Sequence, residues 1–280
     1  MVQATTKTGD AVIRAELRVV GKAYLSPSFV RVYLGGDAVP LCADTTVGVN
    51  NKILIPPKGV RHIDFPEFDY ENMRWQPQNE QTGPVVRTYT HRGIDLVNKQ
   101  LWIDFVIHAD NPGPTSTWAD SAEMGDVPGI MMQAGKRALY PPATHYLLVG
   151  DASALPVMSV ILATLPSSAK GHCVIELLDR ADQLDLPTSA SIKFHWQFNA
   201  HPQHGSQLFK LVKQLNLPAH DRFAYIAAES ATVKLVRNYL RGELNWQRRE
   251  WYACPYWEAG CSEGAAIKER YQTTDHMENA

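Results

Sequence analysis

The pattern of hydrophobic and polar residues divides the chain into two parts with different predicted architectures. In residues 13–35, short apolar and polar runs are interrupted at Gly21-Lys22 and at Ser26-Pro27-Ser28, which is typical of β-hairpins. Further strands are predicted in "VGVNNKILIPP", "VVRTYTHR", "LWIDFVIH" and "VPGIMMQA", with a long loop over residues 56–84. Many short strands joined by loops predict an N-terminal antiparallel β-sandwich or β-barrel.

The second part begins near residue 145 and alternates strands with helices. "HYLLVGD" is an unbroken apolar run, as expected of a parallel strand covered on both faces. Helical and strand-like segments then follow in turn as far as "ATVKLVRNYLRGEL", which predicts a doubly wound parallel α/β sheet. We therefore expect a barrel domain over residues 1–137 and an α/β domain over 145–280, whose last twenty residues form a helix and a tail.

Composition and charge narrow the class of protein. The chain has 280 residues, of which 45% are hydrophobic and 20% charged, and its formal net charge is −2. These values are typical of a globular protein and give no sign of the basic surface that binds nucleic acid. No apolar run approaches the length of a membrane span, and no secretory signal is evident, so we expect a cytoplasmic protein. Four cysteines without a CxxC pair are expected to be free thiols, and no metal site is predicted.

Two stretches of the predicted barrel do not serve a hydrophobic core in an obvious way. "VVRTYTHRG" places six polar or aromatic residues in succession from residue 87 to 92, where a core strand would alternate. "HADNPGPTSTWADS" ends a strand at His108 and begins a short helix with three hydroxyl residues. The amides at such a helix start bind phosphate, although a simple Ser/Thr cap explains the same residues.

Two strand ends in the α/β part are candidate ligand sites, because ligands bind at the carboxyl ends of parallel strands. "GDASALP" follows the first strand at the phosphate position of a dinucleotide-binding unit, but it lacks the GxGxxG pattern. "AAES" places Glu229 and Ser230 between a late strand and its helix. Here the alternative is an acidic helix cap.

Taken in order, these segments resemble the siderophore-interacting proteins, a family of flavin-dependent ferric-siderophore reductases related to the ferredoxin reductases. The matching segments are "VRTYTHR", "DFVIHADNPGPTSTWA", "HYLLVGDASALPVMSVILATLP", "AYIAAES" and "PYWEAG". They cover residues 10–260 approximately, in the family's order. No CCxxC-type cluster is present, so the resemblance does not extend to relatives that carry an iron–sulfur centre.

The resemblance implies that the N-terminal part is an antiparallel Greek-key β-barrel and that this barrel holds an FAD site. Arg87 would bind an FAD phosphate, Tyr89 would pack on the isoalloxazine ring, and Thr90 would lie near the flavin N5. The helix start would receive the pyrophosphate, and His108 would either contact FAD or be a buried, hydrogen-bonded histidine. The full implied FAD set is Arg87, Thr88, Tyr89, Thr90, His108, Gly113, Pro114, Thr115, Ser116, Thr117 and Trp257.

The resemblance also implies that NAD(P)H binds in the α/β part. The implied residues are Gly150, Asp151, Ala152, Ser153, Ala154, Asp179, Arg180, Glu229 and Ser230. An acidic residue after the second strand usually binds the ribose of NAD, and an arginine accommodates the phosphate of NADP. Because Asp179 and Arg180 are adjacent, both NADH and NADPH stay possible as the electron donor. The carboxylates of Glu176 and Asp179 favour NADH.

The implied activity is the reduction of Fe(III) in a ferric siderophore to Fe(II), with electrons passing from NAD(P)H through FAD. No side chain is implied as a catalytic residue, since the flavin performs the redox chemistry. Lys52 is the siderophore contact that the resemblance implies. Lys136 and Arg137 form a second basic pair, which either contacts the siderophore or is a solvated linker. The protein is expected to be a monomer. Many relatives have arginine at the position of Glu258, which follows Trp257. The change removes a positive charge and adds a negative one, so a neutral or cationic hydroxamate complex becomes more plausible as the substrate. The alternatives are a general flavin or ferric-chelate reductase and a non-catalytic siderophore carrier.

Overall fold

The computed structural model describes residues 12–69, 71, 74–76, 78–79, 81–108 and 112–261. The chain divides into two compact units, residues 1–139 and 140–280. The predicted C-terminal helix and tail lie outside the described residues. No helix in the described ranges is long and apolar enough to cross a membrane.

The described residues of the first unit form ten strands and one α-helix. The strands are β1 (Val12–Glu16), β2 (Arg18–Ser26), β3 (Phe29–Gly35), β4 (Asn50–Ile55), β5 (Phe68–Asp69), β6 (Arg74–Trp75), β7 (Val85–Thr90), β8 (Gly93–Asp95), β9 (Gln100–Val106) and β10 (Gly129–Gln133). Helix α1 (Pro114–Ser121) lies between β9 and β10. The predicted loop over 56–84 therefore contains a small hairpin, β5–β6, whose two-residue strands are too short to give a sequence pattern.

The eight longer strands form two antiparallel sheets, in the orders β1-β10-β4-β7 and β2-β3-β9-β8. Only Leu17 separates β1 from β2, and only His91 and Arg92 separate β7 from β8, so both edges of one sheet continue into the other. Backbone bonds bridge these corners, from Leu17 N to Pro128 O at 3.0 Å and from Arg92 N to Trp102 O at 3.1 Å. Continuous edges close the sheets into the predicted barrel.

The alternation in β9 explains how the barrel core forms. Leu101, Ile103 and Phe105 point to one face of the strand and are fully buried in the core. On the opposite face, Asp104 is buried in a different environment, where it accepts two hydrogen bonds from Arg31. The sequence pattern thus predicted correctly which face of this strand builds the core.

The second unit is a five-stranded parallel sheet with helices. Its elements are β11 (His145–Asp151), α2 (Leu155–Thr164), β12 (Lys170–Leu177), β13 (Ser191–Phe198), α3 (Leu208–Lys213), β14 (Arg222–Glu229), α4 (Ser230–Gly242) and β15 (Trp251–Trp257). The strand order is β13-β12-β11-β14-β15, so the winding direction reverses between β11 and β14. In doubly wound sheets, ligands bind at the carboxyl ends of the strands where this reversal occurs.

Candidate functional site

In the first unit, the polar row of β7 lies beside β4 at the edge of its sheet. Arg87, Thr88 and Tyr89 are half-buried and Thr90 is buried. Lys52, directly opposite Thr88 on β4, donates a short hydrogen bond from its Nζ to the Thr88 hydroxyl. The structure thus places the implied siderophore contact Lys52 next to the implied FAD strand.

The side chains of Arg87 and Tyr89 are oriented by neighbouring groups. Arg87 donates from Nη1 to the backbone oxygen of Val86 at 2.8 Å, which holds one nitrogen of the guanidinium fork against the strand. The Tyr89 ring lies 4.5 Å from the Phe105 ring, and Phe105 in turn contacts Trp118 of α1. The aromatic contacts connect the implied flavin strand to the implied phosphate helix.

The start of α1 has the features of an anion-binding site. Gly113 precedes the helix; among the residues that the structure describes, no side chain caps it, and a Cβ added at Gly113 would meet no atom within 4 Å. Thr115 is 3% exposed, and its hydroxyl has no hydrogen-bond partner among the described residues. Open space, an uncapped helix start and an unsatisfied hydroxyl fit the FAD pyrophosphate.

The other residues around this helix start make internal hydrogen bonds. Ser116 Oγ accepts a bond from the His108 amide at 3.2 Å, and the Thr117 hydroxyl donates to the Gly113 oxygen at 3.2 Å. Pro114 is the first helical residue, where its missing N–H costs nothing. His108 itself is exposed, so the alternative of a buried histidine is wrong.

The two remaining basic candidates, Lys136 and Arg137, lie together after β10. Lys136 donates from Nζ to the backbone oxygens of Ala43 and Thr45. Arg137 donates from Nη1 to Gln133 Oε1 at 2.8 Å and is exposed. Both residues are exposed, and the ammonium of Lys136 also holds the turn that contains Ala43 and Thr45.

In the second unit, Asp151 lies at the end of β11 and organises the carboxyl edge of the sheet. It is 6% exposed, and burial raises its pKa. Its Oδ1 accepts from the Ser153 amide at 2.9 Å, and its Oδ2 accepts from the Glu229 amide and from Trp257 Nε1, both at 2.8 Å. Oδ2 thus joins the end of β11 to the ends of β14 and β15, while Oδ1 holds the turn after β11.

The neighbouring residues shape the turn after β11. A Cβ at Gly150 would lie 2.4 Å from the Met158 side chain and 2.7 Å from Ala154 Cβ, so only glycine allows α2 to pack this closely. Ala152 and Ala154 are buried in the turn. These contacts explain the glycine by helix–strand packing, one of the roles of glycine in dinucleotide-binding turns.

The predicted acidic residues at this edge also make internal bonds. Glu229 caps α4 by accepting from the Ala231 amide at 2.7 Å, and Asp179 accepts from the Ala181 amide at 2.8 Å. Arg180 is exposed, with its guanidinium 4.8 Å from the Phe198 ring. Ser230 is 3% exposed, and its hydroxyl has no partner among the described residues. Asp151, Ser153, Glu229 and Trp257 are therefore brought together, while Asp179 and Arg180 lie after β12.

Sequence reasoning missed several polar residues near β7. Asp104 binds Arg31 at 2.6 Å and lies 3.4 Å from Arg92 Nε, so two guanidinium groups share one buried carboxylate. Asn51 and His91 are fully buried, and their side-chain nitrogens have no hydrogen-bond partner among the described residues. The positions of His91 and Arg92 at the end of the polar row were signals in the sequence, whereas Asn51 and Asp104 stand in segments whose patterns predict ordinary strands.

Comparisons with known proteins give matches for both units of the chain. Residues 18–136 match the siderophore-interacting FAD-binding domain, and residues 143–260 match the siderophore-interacting protein family model. The ferric vibriobactin reductase ViuB of Vibrio cholerae is 31% identical over 261 residues, covering 92% of this chain and 94% of ViuB.

Solved structures show the same architecture. The siderophore-interacting protein SipS from Aeromonas hydrophila has a TM-score of 0.78 and 28% identity, covering 94% of this chain and 98% of SipS. A siderophore utilization protein from T. fusca gives the same TM-score at 26% identity, covering 94% of this chain and 97% of that one. Phthalate dioxygenase reductase shares the fold at a TM-score of 0.55 and 12% identity, over 88% of this chain and 68% of its own. The chain belongs to the siderophore-interacting protein family, and its first unit is that family's FAD-binding domain.

Proposed function

We propose that this protein is an FAD-dependent reductase that takes electrons from NAD(P)H and reduces Fe(III) held by a siderophore. The observation that carries the proposal is the polar edge strand β7. Its Thr88 accepts a hydrogen bond from the basic residue Lys52. Its Tyr89 contacts Phe105, and Phe105 contacts Trp118 of helix α1, whose uncapped start is the predicted phosphate site. The similarity to a ferric vibriobactin reductase over nearly the whole chain supports the same activity.

The FAD-binding roles follow from the chemistry of the residues. Arg87 provides a permanently charged, forked donor for a phosphate, and the α1 amides with the Thr115 hydroxyl provide neutral donors. Tyr89 provides an aromatic face that Phe105 holds in place. The full set stated above, including Trp257, is proposed to hold FAD. Bound FAD supplies the redox chemistry between the nicotinamide and the iron.

The substrate is proposed to be a ferric siderophore that meets Lys52, Lys136 and Arg137. The ammonium of Lys52, held by Thr88, adds positive charge beside the flavin strand and would attract an anionic chelate. Reduction weakens the hold of hard oxygen ligands on iron, because these ligands prefer the higher charge of Fe(III). Iron release in the cytoplasm by a monomeric protein is the proposed physiological outcome.

Nicotinamide binding is proposed at the reversal between β11 and β14. The turn over residues 150–154 and the Ser230 hydroxyl lie there, at the strand ends that Asp151 joins. The exposed carboxylate Asp179, after β12, is the residue that favours NADH; Glu176 is unsuited, because its oxygens accept from Asn199, Ser206 and Gln207. Equal kcat/KM values for NADH and NADPH would remove this preference.

The test is to purify the protein with FAD and to measure ferrous iron formed from hydroxamate and catecholate complexes under anaerobic conditions. Arg87→Ala should lower FAD occupancy, whereas the exposed Arg61→Ala should not. Lys52→Met should retain FAD and raise the KM for an anionic ferric siderophore.

Other outcomes identify the alternatives. A protein that binds ferric siderophore but cannot form Fe(II) would be a carrier. Equal activity on free flavins and on ferric chelates would indicate a general reductase. A fully loaded Arg87→Ala variant would contradict the phosphate assignment.

A further inference from the structure

Two histidines on neighbouring strands of the second unit contact each other directly. His172 Nδ1 lies 3.0 Å from His195 Nε2, and the ring centroids are 5.1 Å apart. His172 is on β12 and His195 on β13, the edge strand of the sheet, and both side chains are half-buried. Neither histidine is among the residues proposed to bind FAD, NAD(P)H or siderophore.

The parallel register fixes the two rings on one face. His195 is paired with Val174, and Val174 lies two residues after His172, so both imidazoles extend from the same side of adjacent strands. Because this side belongs to a regular ladder, the rings are positioned by the sheet backbone rather than by a loop. Such positioning limits the entropy that a shared ligand would have to overcome.

The separation of the nitrogens suits a shared metal ion. At metal–nitrogen distances of about 2.0–2.1 Å, two imidazole nitrogens lie about 2.9 Å apart at the 90° angle of tetragonal Cu²⁺ or Ni²⁺ and about 3.3 Å apart at the tetrahedral angle of Zn²⁺. In the metal-free protein the same separation allows one imidazole to donate an N–H to the other. Both rings have lowered pKa values through burial and nearby positive charge, so each can offer a lone pair near neutral pH.

We propose that His172 and His195 form a two-histidine site for a late first-row divalent cation such as Zn²⁺, Ni²⁺ or Cu²⁺. Imidazole is a preferred ligand of these ions, and water completes the coordination, since no group of three or more His, Cys, Asp or Glu residues is so placed within the described ranges. Binding moves the bridging proton to the other nitrogen of its ring and requires no net proton release. The inference does not depend on the proposed reductase activity.

The positive charge of Lys193 near the two histidines affects the metal affinity expected of the site. Lys193 is paired with His172 across the strands and lies on the same face as His195. Its ammonium repels a bound cation, so the site is expected to be weaker than a closed structural zinc site. Lys193→Gln should therefore tighten metal binding.

The experiment is a calorimetric titration of the untagged, full-length protein with Zn²⁺ and with Ni²⁺. The titration is repeated on His172→Gln, on His195→Gln and on the control pair His201→Gln/His204→Gln, whose rings are 5.7 Å apart in a loop. Since losing even an outer partner of a metal ligand costs about 10–100-fold, each single substitution in the site should weaken binding by at least about tenfold. The loop pair and a titration with Mg²⁺, which prefers oxygen ligands, should show no such effect.

A spectroscopic measurement on the wild-type protein tests the metal site without relying on the folding of any variant. Substoichiometric Cu²⁺ should broaden the NMR signals of the His172 and His195 rings before those of other histidines. Binding of unchanged affinity in both single variants, or broadening that begins at His201 and His204, would overturn the proposal. So would the absence of any Zn²⁺ or Ni²⁺ binding.

Discussion

Trp257 Nε1 donates a hydrogen bond of 2.8 Å to the buried Asp151 Oδ2, joining two residues that are 106 positions apart in the chain. The same oxygen accepts the Glu229 amide, and Oδ1 binds the turn at Ser153. The carboxylate therefore holds the ends of three strands together at the edge where a dinucleotide binds in this fold.

Removing the carboxylate should cost more than removing any one of its partners. Asp151→Asn replaces an acceptor oxygen with a donor that faces other donors, so we expect a loss of about 2–4 kcal/mol in the free energy of unfolding. Trp257→Phe removes one donor and should cost about 1 kcal/mol. Urea unfolding of both single variants and of the double variant measures the coupling. Additive losses would show that the bond between the two side chains contributes nothing.

The free energy of unfolding should depend strongly on Asp104, whose carboxylate lies between Arg31 and Arg92. Asp104→Asn removes the carboxylate that the half-buried Arg31 and Arg92 share, and the loss of a charge-assisted hydrogen bond costs about 1.5–3 kcal/mol. Thermal unfolding measures the loss. The matched control is Asp37→Asn, which removes the exposed partner of Lys99 and should cause no measurable change. Similar melting temperatures for the two variants would contradict the prediction.

His91 should make the first unit sensitive to acid. Burial and the nearby Lys136 charge lower its pKa from 6.5 to about 4. Because the folded state binds this proton less readily than the unfolded state, stability is complete above pH 6.5 and falls as the pH is lowered toward 4. The difference corresponds to about 3 kcal/mol.

The measurement is the urea midpoint between pH 7 and pH 4. His91→Gln should flatten the dependence, whereas His201→Gln, which changes an exposed histidine, should leave it as in the wild type. Parallel curves for wild type and His91→Gln would rule out this origin of acid sensitivity.

The four cysteines should differ sharply in reactivity. Cys42, Cys173 and Cys254 are buried, and burial raises the Cys42 pKa to about 11, while Cys261 is exposed. Because the thiolate is the reactive form, a thiol reagent should modify one cysteine in the native protein and four after denaturation. Cys261→Ser should abolish the native reaction. A rapid second modification would show that one of the buried thiols is accessible.

Much of the fold could be predicted from the sequence, because apolar residues recur along it at the regular spacing of strands and helices. The alternation in β9 and the unbroken apolar run in β11 correspond to buried faces in the structure. Strand β15 was not predicted as a strand, because "WYACPYW" contains a proline and has no clear alternation. It forms by parallel pairing with β14, a contact that local patterns do not contain.

The candidate site was predictable only in part. The motifs located the polar strand and the two turns, but not the use of each side chain. Whether Asp151 and Glu176 face a ligand or the protein depends on which distant segments return to them. Asn199 and Gln207, for example, reach Glu176 across a loop whose path the sequence does not specify. The assignment of residues to FAD and NAD(P)H therefore stays a prediction.

The central claim is that FAD held by β7 and α1 passes electrons to chelated iron. The most direct test is anaerobic stopped-flow spectroscopy of the FAD-loaded protein, first mixed with one equivalent of NADH or NADPH and then with a ferric siderophore. We predict that the nicotinamide bleaches the flavin absorbance and that the ferric complex restores it as Fe(II) is captured by a ferrous chelator. A reduced flavin that keeps its bleached spectrum in the presence of ferric siderophore would contradict the account.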